Sequence, residues 1–169
     1  LEGGPKVRRQ FLDWGVFHVE HGFHRVWLDV HRCLRQRNAL LRHDRISTSQ
    51  LEIWNSRLAE SATQLDELRL RYFAAFYPIF QQTLRELVNL DGLELGYQRG
   101  WDRERTLEAV LIEQVEKDRV RGFTQSGPHR ADIRVRIRGL NAAEVLSRGQ
   151  QKLVVAAMKL AQGRLFSAT

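Results

Sequence analysis

Between Phe23 and Tyr72 the chain carries two apolar stripes at coiled-coil spacing, and few folds accept such a pattern. Phe23, Trp27, Val30, Leu34 and Leu41 follow a 4-3-4 rhythm, with Arg37 standing where one more apolar residue belongs. Leu51, Trp54, Leu58, Leu65, Leu68 and Tyr72 keep the rhythm further on. Residues three and four apart share one face of an α-helix, so each stretch predicts an amphipathic helix. The first covers 23–43. The second starts near Leu51 and runs to about Leu90, reaching on the order of 60 Å at 1.5 Å per residue. Pro78 predicts a kink or break inside it. Between the two lies a short polar connector, His43-Asp44-Arg45-Ile46-Ser47-Thr48, and Ser49 with Glu52 has the form of a capping box. Two striped helices joined this way pack as an antiparallel hairpin.

The flanks read differently. Gly3-Gly4-Pro5 is a turn signal, and Pro5 opens a short helix carrying Val7, Phe11 and Leu12. Trp14-Gly15-Val16-Phe17 reads as an extended or turning stretch. After Asp91-Gly92, Leu93, Leu95 and Tyr97 alternate with Glu94, Gly96 and Gln98, as in a half-buried strand. Residues 102–121 predict a helix with Leu107, Val110, Leu111 and Val115 inward, closed by Gly122. Beyond Gly127-Pro128 a second strand places Ile133, Val135 and Ile137 on one face and Arg134, Arg136 and Arg138 on the other. The expected fold is therefore mainly α, in the α+β class, with a long antiparallel helical hairpin and a few strands. Three stretches follow: a leading segment 1–22, a hairpin arm 23–90 and an α+β part 91–169. The hairpin is an insertion if 1–22 rejoins the last stretch.

The chemistry concentrates near the end, at Leu146-Ser147-Arg148-Gly149-Gln150-Gln151-Lys152-Leu153, which runs into an apolar-periodic helix. Ser147 suits an N-cap, because its hydroxyl accepts a bond from a first-turn N–H. Gly149 lets a bulky anion approach the backbone. First-turn N–H groups have no intrahelical partner and carry partial positive charge, so a helix start of this kind is a phosphate seat. Arg148 and Lys152 add charge beside it. By spacing alone, an ordinary capped helix is the alternative.

Ser147-Arg148-Gly149-Gln150-Gln151-Lys152 resembles the signature motif of ABC-type ATPases, in the form carried by the RecF family of bacterial recombination and gap-repair proteins. Arg8-Arg9-Gln10-Phe11-Leu12-Asp13-Trp14-Gly15, Gly127-Pro128-His129-Arg130-Ala131-Asp132 and Leu160-Ala161-Gln162-Gly163 are similar to further stretches of that family, in family order. Ala131 departs from relatives that carry an acid there. The resemblance implies helices inserted between two halves of an ATPase head. It implies that Ser147, Arg148, Gly149, Gln150 and Lys152 meet ATP bound, with Mg²⁺, on a second copy, so that nucleotide joins two protomers; Arg148 stands where many transporter heads carry glycine, and it touches either phosphate or only a neighbouring carboxylate. It also implies a cytoplasmic protein acting on DNA at single-strand gaps or junctions, with RecO and RecR as partners in recombinase loading. A nucleotide site of the chain's own would need G-x-x-x-x-G-K-[ST]. Gly122 and Gly127 have the inner spacing, but Pro128-His129 follows. An apolar strand ending in paired acids, for metal, is absent as well. The family places the first of these elements before Leu1 and the second after Thr169, so this stretch alone is expected to hydrolyse nothing and to hold no nucleotide or metal.

Charge agrees with an anionic partner. The net charge is +7, carried mostly by arginine, whose planar fork suits phosphate. Arg8, Arg9, His129 and Arg130 are candidate contacts to nucleotide or DNA phosphate, or else structural turns with surface charge. The row Arg134, Arg136 and Arg138 is either a DNA-backbone track or the solvated face of an edge strand. His18, His21 and His24 with Glu20 lack the ligand set of a zinc site. Cys33 is the only cysteine, which excludes an internal disulfide. Trp14, Trp27, Trp54 and Trp101 are candidates for base stacking, although two of them fit the stripes.

Overall fold

The computed structural model describes residues 3–43 and 47–168. Its order is α1 (Gly4–Val19), α2 (Phe23–Leu41), α3 (Thr48–Leu87), β1 (Leu93–Gln98), α4 (Leu107–Glu113), α5 (Val115–Arg121), a 3-10 turn (Pro128–Arg130), β2 (Asp132–Ile137), β3 (Leu140–Asn141), α6 (Ala142–Val145) and α7 (Arg148–Ala168). The fold is mainly α, with one small antiparallel sheet in the order β1-β2-β3. The backbone gathers into two compact units built from separated segments. The first comprises Leu1–His21, Arg69–Gln98 and Asp132–Thr169, and the second Gly22–Leu68 and Arg99–Ala131. These units are cut differently from the stretches 1–22, 23–90 and 91–169, because α3 runs through both.

In the first unit, α1 is helical throughout, including Trp14–Phe17, where an extended or turning stretch was expected. Gly15 explains the difference. A Cβ on it would stand 2.2 Å from the Tyr72 ring, so glycine is there for close approach and not to stop the helix. Leu12 and Val16 are fully buried beside it, and Phe11 meets Phe76 edge-on at 5.8 Å between centroids. The α3 helix passes Pro78 without a break and ends at Leu87. Proline removes the bond to the carbonyl of Ala74, but Ala74 and Pro78 are both exposed, so that oxygen has water available. On the opposite face Tyr72, Phe76 and Phe80 are buried.

The sheet follows the alternation of its sequence. Leu93 pairs with Ile137, Leu95 with Val135 and Tyr97 with Ile133. These side chains form the inner face, where Tyr97 packs on Phe73 at 6.1 Å. Glu94, Gly96, Asp132, Arg134 and Arg136 belong to the other face. β2 is the middle strand of the order, paired on both sides at Arg136 and Ile137. Arg138 and Gly139 join β2 to β3 with positive φ at both residues, 51° and 82°. That is the geometry of a type I′ hairpin turn.

In the second unit, α2 and the first part of α3 run antiparallel. Arg37 bonds Asn55, whereas Cys33, one turn earlier, meets Ser61, further along α3. The cap of α3 is Ser47, whose Oγ accepts from the Gln50 N–H at 3.4 Å, rather than the expected Ser49–Glu52 box. Asp44, Arg45 and Ile46 of the connector lie outside the described residues. The expected helix over 102–121 starts at Thr106, which caps it, and bends at Gln114 into α4 and α5. Past the bend, Asp118 is fully buried. Gly122 closes α5 at φ 74°, as its position predicted.

Candidate functional site

The α7 mouth belongs to the first unit. Ser147 accepts from the Gln150 N–H at 3.2 Å, and the Gln150 side chain accepts from the Ser147 N–H at 2.9 Å. This is a complete capping box, with serine at the N-cap and glutamine at the third helical position. Gln151 reaches back to the carbonyls of Ala143 and Leu146, at 3.1 and 3.0 Å, and fixes α6 against the helix start. Ser147, Arg148, Gly149 and Lys152 are all exposed, and Gln150 is half-buried. The N–H groups of Arg148 and Gly149 lie at the first two helical positions, where no intrahelical acceptor exists. A Cβ on Gly149 would meet only the Ser147 hydroxyl, at 3.9 Å. The helix itself therefore has room for alanine at this position.

Deeper along α7, the buried Gln162 donates to the Phe11 carbonyl at 3.1 Å and to the Tyr72 hydroxyl at 2.8 Å. Burial pushes the Tyr72 phenol up to about 12, against the opposing pull of the Gln162 bond. Arg164 binds Thr83 and Glu86 near the end of α3. These anchors hold α7 against α1 and α3 and leave its first turn to solvent.

The Gly127–Arg130 turn belongs to the second unit and is built the opposite way. The Gly127 N–H donates to the Gly100 carbonyl at 3.1 Å. A Cβ on Gly100 would stand 2.1 Å from the Gly127 oxygen, and its φ is +98°. The His129 Nε2 bonds the Thr124 carbonyl at 2.8 Å, so this ring pins the loop. Arg130 is exposed, with its guanidinium over the Phe123 ring at 5.9 Å. Ala131 is completely buried.

Beneath this turn lies a network that pattern reading missed. Arg37 has no exposed surface. It donates to Asn55, Asp118 and Thr124, each at 2.7 Å, and to the Leu111 carbonyl at 3.3 Å. Asn38 accepts from both the backbone and the hydroxyl of Thr124, at 2.8 and 2.7 Å. Asp118 also accepts from the Gln125 N–H at 3.0 Å. Burial pulls the Arg37 pKa down, and its bond to Asp118 works against that pull. The signal was present in the sequence: an arginine in an apolar seam must find a buried acid.

The remaining candidates separate by partner. Arg8 binds both oxygens of Asp132 at 2.8 Å, a bidentate pair that joins α1 to β2. Hydrogen bonding to Asp132 raises the Arg8 pKa. Arg9 is half-buried. Arg134, Arg136 and Arg138 are exposed. His18 packs among Trp14 and Phe166, at 4.3 and 5.0 Å between ring centroids, as an aromatic contact. Among the described residues no cluster of His, Cys, Asp and Glu could hold a metal, and no helix is long and apolar enough to cross a membrane.

No family model matches the chain. It is 53% identical, over 167 residues, to the DNA replication and repair protein RecF of Pseudomonas fluorescens (strain Pf0-1), covering 99% of this chain and 46% of that protein. The same named protein of Stutzerimonas stutzeri (strain A1501) is 53% identical, with 99% and 45% covered. The chain thus spans about half the length of the curated relatives it matches. Among solved structures, the recombination mediator protein RecF-ATPrS in the RecFOR pathway superposes with a TM-score of 0.88 at 24% identity, over 98% of this chain and 47% of that one. The RecF-ATP structure of the same pathway gives 0.85 at 25%, over 94% and 46%.

Proposed function

Because the chain belongs to the RecF family, we propose that it supplies the signature half of an ABC-type ATPase and closes over a nucleotide held by a second copy. The observation that carries this reading is the α7 mouth, where Gly149 stands with room for a side chain and with solvent around it. A complete capping box alone would favour the second reading, a helical DNA- or protein-binding module whose helix is merely capped. That reading leaves Gly149 unexplained, since glycine inside a helix costs about 1 kcal/mol relative to alanine.

The chemistry follows from the box. Ser147 caps through an oxygen lone pair, so its hydroxyl proton remains available to a γ-phosphate oxygen. The Gly149 N–H donates alongside it, and Arg148 and Lys152 add charge. Mg²⁺ and the P-loop belong to the facing copy, which neutralises the phosphoryl group from the other side. Neither half is complete alone, so ATP acts as the link of a homodimer. The finer parts of the proposal are recognition of DNA at single-strand gaps or junctions and recombinase loading with RecO and RecR. Work alongside RecO and RecR is supported by the RecFOR pathway named for the similar structures, and action on DNA by the relatives' name of DNA replication and repair protein. The test uses a full-length RecF-type protein carrying this segment with Ser147→Arg. ATP-induced pairing, followed by sedimentation, should disappear while nucleotide binding to each monomer persists. Unchanged pairing would remove the proposal.

A further inference from the structure

We infer that the solvent face of the β1-β2-β3 sheet is a seat for the phosphodiester backbone of DNA, set by Arg134, Arg136 and the hairpin-tip Arg138. The alternation that buries Ile133, Val135 and their partners turns Arg134 and Arg136 together onto the opposite face. Asp132 shares that face, but both its oxygens are taken by Arg8. Glu94 is the cross-strand neighbour of Arg136, yet no ion pair forms between them. Among the described residues Arg134, Arg136 and Arg138 have no salt-bridge partner. A groove of about 400 Å³ opens here, with Pro5, Arg8, Asp132, Arg134, Arg136 and Asn141 in its lining.

The hairpin tip is a second, independent observation. Arg138 occupies the left-handed region at φ 51°. Type I′ turns favour Asn-Gly at these two positions, and arginine is strained in the first of them. Its side chain makes no hydrogen bond among the described residues that would offset the strain. Its backbone N–H donates to the Gly92 carbonyl at 2.9 Å and its stem lies over Gly92, so the guanidinium is the part left to a ligand from outside. Spacing suggests which ligand. Alternate residues of a strand lie about 6.8 Å apart, twice the 3.4 Å axial rise per phosphate of one B-form DNA strand. Two arginine positions at that interval on β2, with Arg138 at the tip beyond them, fit a polymer of phosphates better than a single anion.

The inference deepens the DNA part of the proposed function and makes no use of the α7 mouth, so either can fail alone. The test measures binding of this chain to a fluorescein-labelled DNA oligonucleotide, single-stranded or duplex, without ATP, over a salt series. Arg134→Ala/Arg136→Ala/Arg138→Ala should reduce the slope of log affinity against log salt by about two to three, near 0.9 for each phosphate contact on duplex. Arg25→Ala/Arg32→Ala/Arg35→Ala, with the same charge removed from exposed positions on α2, should leave the slope near its original value. Arg138→Asn should raise the melting temperature and weaken binding together. An unchanged slope in the sheet variant, or an equal fall in the α2 variant, overturns the inference. Arg138→Asn that stabilises the fold with binding intact removes the tip from it.

Discussion

The α7 mouth and the Gly127–Arg130 turn both set glycine near arginine, and they are made in opposite ways. At the mouth, Gly149 has room for a Cβ, and Ser147, Arg148 and Lys152 are exposed. At the turn, Gly100 has a carbonyl where its Cβ would go, His129 is committed to Thr124, and an arginine buried below holds the loop. A glycine that its own backbone does not need marks a surface kept open. A glycine pressed against a neighbouring carbonyl marks architecture. The motif at the mouth thus faces solvent, whereas the motif at the turn is largely consumed by the fold, with only Arg130 exposed.

Variants can break or sharpen that contrast. The largest effect belongs under the turn. Asp118→Ala strands the Arg37 charge without solvent, and Arg37→Ala strands Asp118. Each should cost about 3–5 kcal/mol in a urea melt. The double replacement Arg37→Met/Asp118→Leu should cost less than either, because no unpaired charge remains. If the double variant is as unstable as the singles, the network is not the ionic clamp described. Next comes Gly100→Ala, expected to lose about 2–3 kcal/mol from the clash and the left-handed backbone. A neutral result there would mean that the two loops do not cross at this point.

Effects at the mouth are smaller and differ in sign. Ser147→Ala removes the cap and should cost about 1 kcal/mol. Gly149→Ala should instead stabilise the chain, by up to about 1 kcal/mol, as alanine replaces glycine in a helix with open space around it. Both should weaken ATP-induced pairing in a full-length protein. Opposite shifts in thermal stability with a shared loss of pairing would separate the functional role of the motif from its structural one. A destabilising Gly149→Ala would mean that the glycine serves the helix after all.

Much of this was legible beforehand, for physical reasons. The α2 stripe, the β1 and β2 alternation, the Gly122 stop and the Ser147 cap are local patterns, and local patterns survive packing. Most of what failed depended on distant partners, although the α3 cap, a local feature, fell at Ser47 and not at Ser49. The stretch Trp14–Phe17 reads as extended or turning because nothing near Gly15 in sequence announces Tyr72, which packs where its side chain would be. Pro78 predicts a kink or break, and α3 is continuous there, because the sequence alone does not tell which side of the helix faces water. The α4–α5 bend at Gln114 and the burial of Asp118 belong to a network whose members lie up to 87 residues apart. Arg37 was noticed only as an interruption of a stripe. The proposed composite nucleotide site rests on a motif whose neighbours in sequence are also its neighbours in space.

The most direct test of the trans contact mixes two inactive full-length RecF-type variants. One carries Ser147→Arg, and the other has its P-loop lysine replaced. A mixed pair then contains one site in which an intact P-loop faces an intact Ser147 helix. ATP hydrolysis by the mixture, well above the sum of the two variants alone, is the expected result. A mixture that stays at that sum would contradict a seat completed by the neighbouring copy.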